Sequence, residues 1–118
     1  MTSTVDEFNR LIRTKKEQID NFITEKKQVN NLLNEYQNII KTTEHLNQHL
    51  TERYYKSRMF THIEQNSELF HIVQRQAMNA IYYQQSDIDY NIQQLNEEIE
   101  TIERKRNFEQ QKGKEGGQ

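Results

Sequence analysis

Cysteine is absent from the 118 residues. That excludes a disulfide framework and a thiolate zinc site, and it fits synthesis in the cytosol. Proline is absent as well, and the three glycines (Gly113, Gly116 and Gly117) all sit at the C-terminal end. These two residues punctuate most folds, so their absence over residues 1–112 predicts long helices. Apolar residues are scarce, at 32 %, against roughly 45–50 % in average domains on a count that includes glycine. A compact core around an enclosed active site is hard to build from so few, whereas an elongated object with one narrow apolar seam needs far fewer. Residues 1–8 have neither a basic start nor an apolar run, so no general secretory leader is expected. No stretch approaches the roughly 18 consecutive apolar residues of a membrane span. The 18 acids and 16 bases nearly cancel, to a formal −2. Without a clustered basic surplus, neither nucleic acid nor an anionic membrane surface is an expected partner.

What is present is a rhythm. Steps of four and three from Phe8 visit Ile12, Lys15, Ile19, Phe22, Lys26, Val29, Leu33, Tyr36, Ile40, Thr43, Asn47 and Leu50. Most of these stops are large and apolar, which is the pattern of a long helix with a seam for another helix. The sustained period argues against disorder, despite the high polarity. Leu32, Ile39 and Leu46, seven residues apart, form a second apolar line at g, beside the a/d seam, and widen the face to be buried. A face that wide calls for a helix from outside the chain.

Thr4-Val5-Asp6-Glu7 matches a capping box, with Ser3 or Thr4 as the N-cap and acids in the first turn. The first helix is expected over about residues 4–55. Residues 51–68 break the rhythm, with Tyr54, Tyr55, Met59, Phe60 and Ile63 fitting the earlier register poorly. Asn66 and Ser67 are the best cap for a second helix, so the turn is expected at about 56–67 and the second helix at about 68–108. Phe70, Val73 and Ala77 lead into a restored rhythm of Ile81, Gln85, Ile88, Ile92, Leu95, Ile99, Ile102 and Arg106. Ala77 and Ala80, the only alanines, suit a close approach of helices. Residues 111–118 read as a disordered tail. Folded back on itself, the chain is all-α: a long antiparallel two-helix hairpin spanning about 1–110, coiled-coil-like and completed by helices of a partner. Phe8 then lies near Phe108, with Ile40, Ile81 and Ile88 holding the hairpin. One continuous helix in an intermolecular coiled coil is the structural alternative.

The chemistry-bearing residues point away from catalysis. His45 and His49 share a helix face at i, i+4, and His71 falls opposite them in a hairpin, but the H-E-x-x-H arrangement is missing because Leu46 follows His45. No metal, cofactor or catalytic residue is expected. The serines lack a nucleophile-elbow context. Acid pairs such as Glu97/Glu98 and Asp87/Asp89 belong to an exposed helix. Tyr83 and Tyr90 are seven apart and point away from the second helix's own seam, so large aromatics on an outer face mark a partner surface. The expected function is non-enzymatic protein–protein interaction through Leu32, Ile39, Leu46, Tyr83 and Tyr90.

A small helical hairpin of this size, without leader or cysteine, resembles the substrates and partners of type VII secretion. The best-known class carries Trp-x-Gly at the turn. This chain has no tryptophan and no mid-chain glycine, so it looks more like the small accessory hairpins that pair with LXG-type toxins of Gram-positive bacteria. Its Asn-, Gln-, Lys- and Ile-rich composition is compatible with an AT-rich genome of that group. Tyr83-Gln84-Gln85-Ser86-Asp87 fits the Tyr-x-x-x-Asp/Glu export element of such substrates, with Tyr83 and Asp87 as its key residues, although it lies deeper in the chain than the family's usual placement. The resemblance implies a targeting factor or chaperone that lies along the toxin's helical domain, alone or with a second small hairpin. It also implies a place in the cytoplasm, or export through type VII secretion without a cleaved leader. A self-assembling structural coiled coil and a cytosolic antitoxin or anti-factor are the other classes the sequence leaves open.

Overall fold

A computed structural model describes the backbone of residues 3–116 and the side chains of residues 3–113. Two α-helices, α1 (Thr4–Tyr54) and α2 (Phe60–Gly116), run antiparallel, and no strand occurs among the described residues. The fold is an all-α, antiparallel two-helix hairpin.

α1 starts where a cap can hold its free amides. The Asp6 N–H donates to Ser3 Oγ at 3.1 Å and the Ser3 N–H donates to Asp6 Oδ2 at 3.4 Å. Ser3, not Thr4, is thus the N-cap, and Asp6 takes the reciprocal place expected of Glu7. Both acids still lie in the first turn, against the positive end of the helix dipole. Every stop of the four-three rhythm from Phe8 to Leu50 is at least partly covered. Ile12, Val29 and Ile40 are buried, and the other ten are half-buried.

The turn occupies residues 55–59, shorter and earlier than the expected 56–67, and α2 begins at Phe60 instead of near residue 68. Asn66 and Ser67 lie inside α2 and cap nothing. Ser57 closes the reversal. Its N–H donates to the Tyr54 carbonyl at 2.9 Å, its carbonyl accepts from the Phe60 N–H at 3.2 Å, and its hydroxyl accepts from the Met59 N–H at 3.1 Å. Tyr55 and Phe60 meet edge to face at 5.4 Å across the turn. Starting α2 early puts Phe60, Ile63, Ser67 and Phe70 at three-four spacing, all half-buried. That packing is why the later cap site is bypassed, because tertiary burial outweighs a local capping preference.

From Phe70 the half-buried positions are Gln74, Ala77 and Met78, and the seam then resumes at Ile81, Gln85 and Ile88. Two adjacent residues at the seam mark an insertion into the heptad, a stutter that locally unwinds the supercoil. It explains two departures from expectation. Val73 is 56 % exposed, its seam place taken by Gln74, and Ala80 is exposed, which leaves Ala77 as the one alanine at the interface. α2 also continues to Gly116, past the expected end at 108. Gly113 sits in open space within it, where an exposed helical glycine costs only about 1 kcal/mol relative to alanine and need not end the helix. Gly117 and Gln118, the rest of the expected disordered tail, lie outside the described residues.

The chain divides into two compact units, to which both helices contribute. Unit 1 contains the described residues up to Lys26 and those from Ser86 onward. Its buried residues are Ile12, Ile88 and Ile99. The two lysines at its seam turn outward to acids on α2: Lys15 Nζ lies 2.7 Å from Glu98 Oε2, and Lys26 Nζ lies 2.5 Å from Asp89 Oδ1. Their methylene stems cover the seam while the ammonium groups stay wet. Arg106 Nη1 donates to Asn9 Oδ1 at 3.1 Å. Phe8 and Phe108 line one shallow groove, as the hairpin arithmetic requires.

Unit 2 is Lys27–Gln85 and includes the turn. Its buried residues are Val29, Ile40 and Ile81. Gln85 Nε2 donates to Asn30 Oδ1 at 2.7 Å and sets the two helices in register. Its seam is diluted by Thr43, Asn47, Ser67 and Gln74, all half-buried. Gln74 Oε1 is buried without a hydrogen-bond partner.

Candidate interaction surface

Unit 2 turns almost as many large apolar side chains outward as inward. Leu32, Ile39 and Leu46 on α1 are 48 %, 58 % and 56 % exposed, and Leu69, Ile72, Val73, Tyr82 and Tyr83 on α2 are exposed beside Tyr55 and Met59 at the turn. A solvated helix surface is normally polar, so such a concentration marks a contact surface.

The distribution follows from the heptad register. With Leu33, Ile40 and Asn47 at a, the three α1 residues lie at g. On the turn-proximal part of α2, with Phe60, Ser67 and Gln74 at a, Asn66 and Val73 are at g. In an antiparallel pair the g positions of both helices share one flank and the e positions share the other. Grooves on the molecule follow that division. In unit 1, Gln18, Glu25, Asn91 and Glu98, all at g, line a single open groove over Phe22 and Leu95, with a volume of about 450 Å³. In unit 2, Glu44 and Thr51 at e share a groove with His71, also at e, and with Ser67.

The two flanks of unit 2 differ in kind. The g flank carries Leu32, Ile39, Leu46, Asn66 and Val73, bordered at c by Gln28, Glu35, Thr42 and His49 on α1 and by His62, Leu69 and Gln76 on α2. Its formal charges at neutral pH are Glu35 and, at g in the last turn of α1, Arg53, which cancel. The e flank carries Glu44, Glu64 and His71, bordered at b by Lys27, Lys41, Glu68 and Arg75. The first flank is apolar and neutral; the second is a charged, hydrated surface.

The five residues expected to contact a partner are all exposed, and the four in unit 2 fall on two different faces. Leu32, Ile39 and Leu46 lie on the g flank of unit 2. Tyr83, 78 % exposed, lies on the outer face of α2, where Ile72, eleven residues earlier, projects on the same side. Tyr90 belongs to unit 1. Leu69, Ile72 and Val73 were missed by sequence reasoning, which places Val73 on the seam and assigns no face to Leu69 and Ile72, just inside the expected second helix. The signal for them was available in Phe60 and Ile63, whose spacing carries the α2 register back to the turn.

Tyr83 and Asp87 are both exposed on α2, one helical turn apart. His71 lines the e-flank groove, whereas His45 and His49 do not, so the three histidines are not gathered. Among the described residues, no group of three or more His, Cys, Asp or Glu side chains is placed to hold a metal ion. No helix among them is long and apolar enough to cross a membrane. No protein-family model, curated protein or solved structure matches this chain.

Proposed function

We propose that this protein is a non-enzymatic interaction module that lends its hairpin to a helical partner. The observation that carries the reading is the neutral apolar g flank of unit 2, where Leu32, Ile39 and Leu46 stand 48–58 % exposed in heptad register. A partner helix laid along α1 covers that line over about 21 Å, at 1.5 Å per residue, and completes the bundle that the two helices leave open. By the resemblance of the sequence, the partner is the helical domain of an LXG-type toxin, and the hairpin serves as its targeting factor or chaperone in type VII secretion. Tyr83 and Asp87 are then the candidate export element.

The test is a pull-down of the tagged protein from its native host, followed by binding measurements with the recovered partner. The expected partner is a large protein with a long helical N-terminal domain and a toxic C-terminal domain. The Ile39→Ala, Leu46→Ala double variant is expected to weaken its binding while keeping the helical circular dichroism. Unchanged affinity in that variant removes the g flank as the contact.

A further inference from the structure

The g flank of unit 2 has a second property: it is complementary to itself. We infer that, when no other partner is bound, this flank is covered by a second copy of the chain, with the two α1 helices antiparallel and crossing at Ile39. The inference rests on the reading of this flank as an interaction surface and names what occupies it at rest.

Leu32, Ile39 and Leu46 are symmetric about Ile39, so a two-fold axis at Ile39 sets Leu32 against Leu46 of the other copy and Ile39 against itself. An isologous interface requires such self-complementarity. The bordering c positions obey the same symmetry. To within one residue of rise, Gln28 falls beside His49 of the other copy and Glu35 beside Thr42, so no like charges meet. A parallel pairing would instead set Glu35 against Glu35, with the cation of this flank, Arg53, about 27 Å further along α1 at 1.5 Å per residue. Like-charge juxtaposition of that kind is a strong bar to association.

The second helix agrees. Asn30 is abreast of Gln85 through their hydrogen bond, so nine residues further along, Ile39 is abreast of Gln76. The same axis therefore brings Gln76 against its own copy, an uncharged amide able to donate and accept. The e flank has no such property, because Lys27, Lys41, Glu44 and Glu68 crowd it. The area also suffices. Residues 28–50 span roughly 33 Å and two adjacent helices are about 20 Å wide. The face is thus of the order of 650 Å² per copy, near the roughly 800 Å² per partner of a standard interface.

Because the chain has no cysteine, single engineered thiols give an unambiguous test on the full-length protein. Ile39→Cys is expected to form a disulfide-linked dimer on mild oxidation. Leu32→Cys alone and Leu46→Cys alone are expected not to, since each lies about 21 Å from its copy in the antiparallel arrangement, well beyond the roughly 7 Å that a disulfide allows between Cα atoms. The Leu32→Cys, Leu46→Cys double variant is expected to cross-link again. In sedimentation at tens of micromolar, the unmodified chain is expected at twice 14.4 kDa, and Ile39→Asp is expected to lose the dimer while retaining helicity. A monomeric unmodified chain, or equal cross-linking by Leu32→Cys alone, overturns the inference. A monomer that still captures a helical partner would refute only the resting dimer; a dimer that captures none would refute only the proposed function.

Discussion

Ile88 is the most deeply buried seam residue named in either unit, at 2 % exposure, and its truncation gives the sharpest test of the hairpin. Ile88→Ala removes three carbons. At about 0.8 kcal/mol per buried methylene, the lost transfer energy is about 2.4 kcal/mol. A cavity term adds to it, unless the helices close over the gap, so the expected loss is about 2–4 kcal/mol. That is a large part of the roughly 5–15 kcal/mol that holds an ordinary domain folded. Tyr83→Ala is the matched control. Tyr83 is 78 % exposed, and alanine is the better helix former, so its replacement is expected to change stability by no more than about 0.5 kcal/mol. Urea unfolding followed by circular dichroism at the helical band measures both, with the midpoints compared at equal slope. A loss below about 0.5 kcal/mol for Ile88→Ala, or an equal loss for Tyr83→Ala, would refute the assignment of the seam.

Three further perturbations follow from named contacts. Gln74→Leu removes a buried carbonyl oxygen that has no hydrogen-bond partner; such an orphan costs about 1–3 kcal/mol, so the variant is expected to melt higher, and a lower melting temperature would show that Gln74 holds the stutter in place. Lys26→Leu exchanges an ion pair with Asp89, whose side chains are 40 % and 55 % exposed, for an apolar seam residue. Exposed pairs contribute about 0–1 kcal/mol, so thermal unfolding is expected to show no loss and possible gain is limited to the added burial; a clear loss would contradict that ranking. Ser57→Ala deletes the hydroxyl that accepts from the Met59 N–H and is expected to destabilise by about 0.5–2 kcal/mol, with faster hydrogen exchange at Met59 as the local readout.

The seam was legible because helical periodicity is a local property: side chains three and four apart share a face whatever lies opposite. That is why all the α1 stops from Phe8 to Leu50, polar ones included, are at least partly covered. The exposure of Leu32, Ile39, Leu46, Tyr83 and Tyr90 was legible for the same reason, since g and outward positions follow from the seam. The placement of the turn was not. Asn66 and Ser67 offer a better local cap than Ser57, and only the pairing of α2 with α1 rewards an earlier start, through Phe60, Ile63 and Phe70 on the seam. The stutter at Ala77 and Met78, and with it the outward turn of Val73, depends on how two registers are reconciled across the pair. So does the contrast between a neutral g flank and a charged e flank in unit 2, because a flank belongs to two helices at once. Sequence alone determined which face of α1, and of α2 from Ile81 onward, is buried; tertiary structure decided where the chain reverses, which face the start of α2 buries and which residues of α2 stand beside Ile39, because register between helices is a property of neither helix alone.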